Sequence, residues 1–89
     1  MLFMLTNRTR KDLSAAQYAE LATLAKAFYA SIPSEVKIRG EWSATDYSNN
    51  YSLLEAPDIE TVCRIQAPFE EFTETLIVPV TAISGWTAG

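Results

Sequence analysis

Histidine is absent from this 89-residue chain, and cysteine occurs once. The first absence excludes histidine-based catalytic triads and His-ligated metal centres. The second excludes a disulfide within the chain and a zinc finger, which needs several Cys and His ligands. Basic residues are scarce as well: 7 Lys and Arg stand against 11 Asp and Glu, for a formal net charge of −4. An acidic chain without a large basic patch is a poor nucleic-acid binder. The basic residues that do cluster, Arg8, Arg10 and Lys11, read as a solvated turn rather than a phosphate site. No apolar run approaches the roughly 18 residues of a membrane span. The apolar start Met1–Leu5 is followed, not preceded, by its basic residues, unlike a secretory signal. The expectation is therefore a cytoplasmic protein with no membrane partner, and the sequons at Asn7 and Asn50 read as chance matches.

What remains is a composition for one domain over residues 1–89, with 48% apolar and 20% charged residues. A core this small is marginal, so association would add stability. The charge is lopsided: residues 1–45 carry a net +2 and residues 46–89 a net −6.

Hydrophobic patterning gives the elements. Leu2 to Arg8 reads as a strand. Ser14 and Gln17 form a capping box, with Leu13 and Tyr18 placed for a hydrophobic staple. Behind them Leu21, Leu24, Ala25, Phe28 and Ile32 recur at helical spacing until Pro33. Val36 to Trp42 alternates as a second strand, with Gly40 marking a bulge or a close approach. Ser43 to Asn50 is a loop, and Tyr51 to Ala56 a third strand. Pro57 and Asp58 open a second helix with Ile59, Val62 and Cys63 as its apolar face, ended by Pro68. Phe69 to Phe72 connects to a fourth strand, Thr73 to Ile83, with Pro79 at an edge or bulge; Ser84 to Gly89 is a tail. The order is βαββαβ, an α+β, ferredoxin-like fold: a four-stranded antiparallel sheet with two helices on one face.

A sheet wet on one face should alternate apolar and polar residues. Leu2-Phe3-Met4-Leu5, Leu53-Leu54 and Leu76-Ile77-Val78 are apolar at both parities. Two helices cover one face only, and monomers rarely expose a large apolar patch. The expectation is a second copy packed sheet to sheet, a homodimer; the alternative is that the loop at residues 43–50 and the C-terminal tail cover the patch.

Several stretches carry a resemblance: the Met-Leu-Phe start, Ile38-Arg39-Gly40-Glu41-Trp42, Leu54-Glu55-Ala56, Ala67-Pro68-Phe69 with Phe72, and Val78-Pro79-Val80. Over nearly the whole chain these resemble a bacterial family known as domain of unknown function 3303, a branch of the dimeric α/β-barrel superfamily. The resemblance implies the ferredoxin-like fold and dimerisation, and no activity. Wider relatives include cofactor-free monooxygenases, isomerases, dehydratases and ligand-binding regulatory domains. Where relatives commonly carry Trp, this chain has Phe69 and Phe72.

Strand parity then nominates a binding site. With Val36, Ile38 and Trp42 toward the helices, Lys37, Arg39 and Glu41 face the barrel interior. Met4, Thr6 and Arg8 on the first strand join them, as do Tyr51 and Glu55 on the third. The expected ligand-binding residues are Arg39, Glu41, Tyr51, Glu55, Met4 and Thr6, with Tyr47 from the loop. Glu55 in an apolar cavity would have a raised pKa and act as general acid or base. The plainer alternative is a Glu55 ion pair with Arg39 or Lys37 that fixes register. Cys63 reads as a small core hydrophobe, Trp42 as core, and Trp86 as a latch for the tail. The acidic run Glu70, Glu71 and Glu74 reads as a solvated rim, and no metal or cofactor is expected. Three functions follow: a homodimeric small-molecule-binding module, a cofactor-free enzyme of monooxygenase or isomerase type using Glu55, or a protein-interaction module.

Overall fold

A computed structural model describes residues 1–83; the expected tail with Trp86 lies outside the described residues. The elements are β1 (Leu2–Thr9), α1 (Ala15–Ala30), β2 (Lys37–Ser43), β3 (Asn50–Glu55), α2 (Ile59–Gln66), a 3-10 turn (Ala67–Phe69) and β4 (Thr73–Val80). The strands form one antiparallel sheet in the order β2-β3-β1-β4. This is the ferredoxin-like α+β arrangement, with β1 at the centre between β3 and β4. β4 ends at Val80 rather than Ile83, because Val80 pairs with Leu2 and β1 offers nothing beyond it.

Both helices start where their caps dictate. Gln17 N–H donates to Ser14 Oγ at 3.2 Å, and Ser14 N–H donates to Gln17 Oε1 at 2.8 Å, closing the capping box. Ser14→Ala removes the acceptor and leaves the Gln17 N–H unsatisfied, at an expected cost of about 1 kcal/mol in urea denaturation. In α2 the cap is Asp58, which accepts from the Thr61 N–H at 2.8 Å and the Thr61 hydroxyl at 2.7 Å. Pro57 therefore precedes the cap instead of sitting in the first turn.

The buried core is Phe3, Leu5, Val36, Leu54, Ala56 and Val62, on the helix side of the sheet. The inward face of α2 is Thr61, Val62 and Ile65, not Ile59, Val62 and Cys63. Cys63 is exposed, since one residue past Val62 rotates about 100° around the helix, away from the core. The contrast with α1 is marked. None of its residues is buried, and Leu21, Leu24, Ala25 and Phe28 are only half-covered.

In β2 the expected parity holds only to Ile38. Ile38 pairs with Leu54 and Gly40 with Leu53, so Arg39 is an extra residue. A one-residue bulge reverses the alternation beyond it. Glu41, opposite Ser52, therefore turns to the helix side, and Trp42, opposite Tyr51, turns to the open face. Trp42 is 55% exposed and not a core residue. Its ring lies over Gly40, where a β-carbon would come within 2.6 Å of it. Gly40→Ala must displace the indole. Since the ring is half-exposed it can swing away, and a loss of about 1 kcal/mol is expected with a shifted Trp42 indole N–H resonance.

The open face carries Leu2, Met4 and Thr6 of β1, Tyr51, Leu53 and Glu55 of β3, and Leu76, Val78 and Val80 of β4. Leu76 is 63% and Val78 41% exposed. No helix among the described residues covers this face or is long and apolar enough to cross a membrane.

Candidate functional site: a cleft between the first helix and the sheet

Helix α1 presents Leu21, Ala22, Ala25 and Phe28 toward the sheet, and two of these four are methyl stubs. Alanine favours the helix but fills little of the space beneath it. The result is a cleft of about 610 Å³ between α1 and the helix side of the sheet. That volume lies within the range of small-molecule sites. Leu5, Ile38 and Leu54 form an apolar floor.

Polar groups stand at two ends. At one, Asn7 Oδ1 accepts from the Thr75 hydroxyl at 2.7 Å and from Gln66 Nε2 at 3.3 Å, while Gln66 Nε2 also donates to Thr75 Oγ1 at 2.8 Å. Thr73 adds a hydroxyl 3.2 Å from that of Thr75. This network uses the acceptor of Asn7 and leaves its amide N–H groups without a protein acceptor among the described residues. At the other end, the Tyr29 hydroxyl of α1 donates to Glu41 Oε2 of β2, tying the helix to the sheet across the cleft. Ser52 Oγ lies 3.5 Å from the same oxygen. Burial and the neighbouring Glu41 carboxylate push the Tyr29 phenol up from 10.0 to about 12. A raised phenol stabilises the fold fully below pH 10 and loses that contribution as pH rises through 12. A titration of tyrosinate absorbance should show a late-ionising phenol that is lost in Tyr29→Phe.

The expected ligand residues are divided between two faces. Glu41 lines the cleft, and Tyr51 borders it although its register places it on the open face. Arg39 and Glu55 pair at 2.6 Å, apart from the cleft, with Met4 and Thr6 on the open face. Tyr47 stands at the tip of the β2–β3 loop, 88% exposed, with a φ of 61°. The loop is held by Asp46, which accepts from the Ser48 N–H and hydroxyl.

Glu55 is not the raised acid that an apolar cavity would create. The hydrogen bond from Arg39 lowers its pKa, helped by the charges of Arg39, Lys37 and the N-terminus, against a smaller rise from desolvation. The Ser48 bonds lower Asp46 and the Thr61 bonds lower Asp58 in the same way. Depressed carboxylates contribute stability above their ordinary values of 3.8 to 4.5 and lose it as pH falls through the folded values. Thermal midpoints should therefore fall on acidification below that range. In the basic turn Arg10 is partnered: it donates to the Glu70 carbonyl and lies 3.7 Å from Glu74. No cluster of three metal-ligating side chains occurs among the described residues.

Asn7, Gln66, Thr73 and Tyr29 were not legible as site residues from type alone. Their signal lay in parity: Asn7 continues the inward-facing series of Phe3 and Leu5, and Gln66 follows Val62 by one helical turn.

The model of a family described as "Domain of unknown function (DUF3303)" matches residues 1–88. No curated protein matches the chain. Among solved structures, muconolactone isomerase is similar over 100% of this chain and 97% of its own, at 18% identity and a TM-score of 0.70. The crystal structure of SCO4226 from Streptomyces coelicolor A3(2) is similar over 92% of this chain and 100% of its own, at 22% identity and a TM-score of 0.51. At such identities the likeness shows the ferredoxin-like fold alone.

Proposed function

This chain belongs to the DUF3303 family, whose description names no activity, and from its geometry we propose that it is a homodimeric module that binds a small molecule in the cleft beneath α1. The observation that carries this reading is the cleft itself. A helix with an apolar stripe, left without a single buried residue, faces an apolar floor across about 610 Å³. An apolar ligand laid on this floor takes apolar surface of both partners out of water and gains packing contacts. The unused amide donors of Asn7 and the carboxylate of Glu41 supply orientation at opposite ends.

The open face serves self-association. Leu76, Val78, Met4 and Leu53 form its apolar centre, and the Arg39–Glu55 pair lies to one side on the polar margin. Of the residues expected to hold the ligand, Glu41 and Tyr51 stay with the cleft. Arg39, Glu55, Met4 and Thr6 belong to the dimer contact. Held ionised by Arg39, Glu55 is a weak base and a poor acid at neutral pH, so the acid–base enzyme reading draws no support from it. The architecture shared with muconolactone isomerase is compatible with a ligand-filled fold and assigns no reaction.

Native mass spectrometry of protein purified from its own host tests both parts. The expected species is a dimer carrying a small-molecule adduct. Ala25→Phe fills the cleft from α1, and it should abolish the adduct while the dimer persists. Loss of both together, or an adduct indifferent to Ala25→Phe, would refute the assignment of the cleft.

A further inference from the structure

We propose that the cleft selects an aromatic or apolar amine, bound as its ammonium ion with the charged group at Glu41. This rests on the cleft being the binding site, and adds the charge of what enters it.

Among the described residues that line the cleft, Glu41 is the one carboxylate, and there is no Lys or Arg. A carboxylate or phosphate ligand would meet Glu41 without a compensating cation. An ammonium meets the opposite charge. Glu41 has room for it: Tyr29 and Ser52 both engage Oε2, and Oε1 has no hydrogen-bond partner among the described residues.

The walls favour the same class. Phe28 packs edge-on against Tyr29, with ring centroids 5.4 Å apart, and against Phe69 at 6.0 Å. All three rings line the same cleft as Glu41, and Tyr29 reaches Glu41 directly. Aromatic faces attract cations through their quadrupole, and more strongly where water is partly excluded. The two features act in sequence along one ligand: an apolar body on Leu54, Ile38 and Phe28, and a cationic head at Glu41 Oε1, beside the Tyr29 ring. The net charge of −4 adds a long-range bias toward cations.

The test uses three probes of one shape and different charge: phenethylammonium, phenethyl alcohol and phenylpropanoate. Each is titrated into the full chain at neutral pH and low salt, following amide resonances of cleft and open-face residues. Phenethylammonium should bind about tenfold more tightly than the alcohol, and phenylpropanoate more weakly than either. Added salt should weaken the ammonium selectively. Glu41→Gln should bring the ammonium down to the level of the alcohol. Tyr29→Phe, which keeps the carboxylate and removes its competing donor, should preserve or increase the preference. Glu20→Gln on the exposed side of α1 should leave it unchanged. Equal binding of all three probes in the cleft, or a preference that survives Glu41→Gln, overturns the charge selection and leaves the cleft standing. If no probe perturbs the cleft resonances, the cleft reading fails and this inference with it.

Discussion

Val78→Asp is expected to turn the proposed dimer into a monomer in sedimentation equilibrium, raising the dissociation constant by about a hundredfold or more. Val78 sits on the open face, beside Met4 in the β1–β4 register and 41% exposed in the isolated chain. A second copy packed on this face would bury the introduced carboxylate among Met4, Leu76 and Leu53. An ionised group in such a place costs several kcal/mol unless paired. The same carboxylate in a monomer remains in water. The substitution thus penalises the dimer selectively, and circular dichroism should still report a folded sheet at high concentration. Glu20→Gln on α1, a charge change of one unit away from this face, should leave association unaltered. A wild-type chain that sediments as a monomer at every concentration would refute the proposed role of the open face.

Why that face was legible from sequence, and the cleft was not, follows from the physics of each. Leu76-Ile77-Val78 and Leu53-Leu54 break strand alternation, and the break is visible in a string of letters. So is a capping box, and Ser14 with Gln17 starts α1 as expected. The position of Glu41 was not legible, because it depends on a bulge. Gly40 suggested an irregularity, yet nothing in the letters says that Arg39 is the inserted residue and that Glu41 and Trp42 exchange faces. The cleft depends on a deficit: Ala22 and Ala25 continue a good helical stripe but leave a gap under it. Periodicity registers which residues face inward, and not whether they are long enough to arrive. Glu55 illustrates a third limit. Its parity was readable, but its proton affinity is set by the 2.6 Å contact with Arg39, a distance no spacing rule supplies.

The deepest expected loss of stability comes from Phe3→Ala. Among the described residues Phe3 and Val62 are the two large side chains with no exposed surface, and Phe3 lies on β1, one of the strands paired on both sides. Truncating a buried Phe costs about 3–5 kcal/mol through lost transfer energy and the cavity left behind. Domains of this size have total stabilities at the lower end of about 5–15 kcal/mol. The substitution should therefore leave the chain largely unfolded at low concentration, read as loss of the cooperative urea transition. Self-association adds a second term. A dimer that binds only folded chains stabilises them by mass action, so the variant should regain structure as its concentration rises. Phe3→Ala combined with Val78→Asp removes that rescue, and its unfolding should no longer depend on concentration. A Phe3→Ala midpoint independent of concentration, in a chain that otherwise dimerises, would mean that the open face and the core are not coupled through folding.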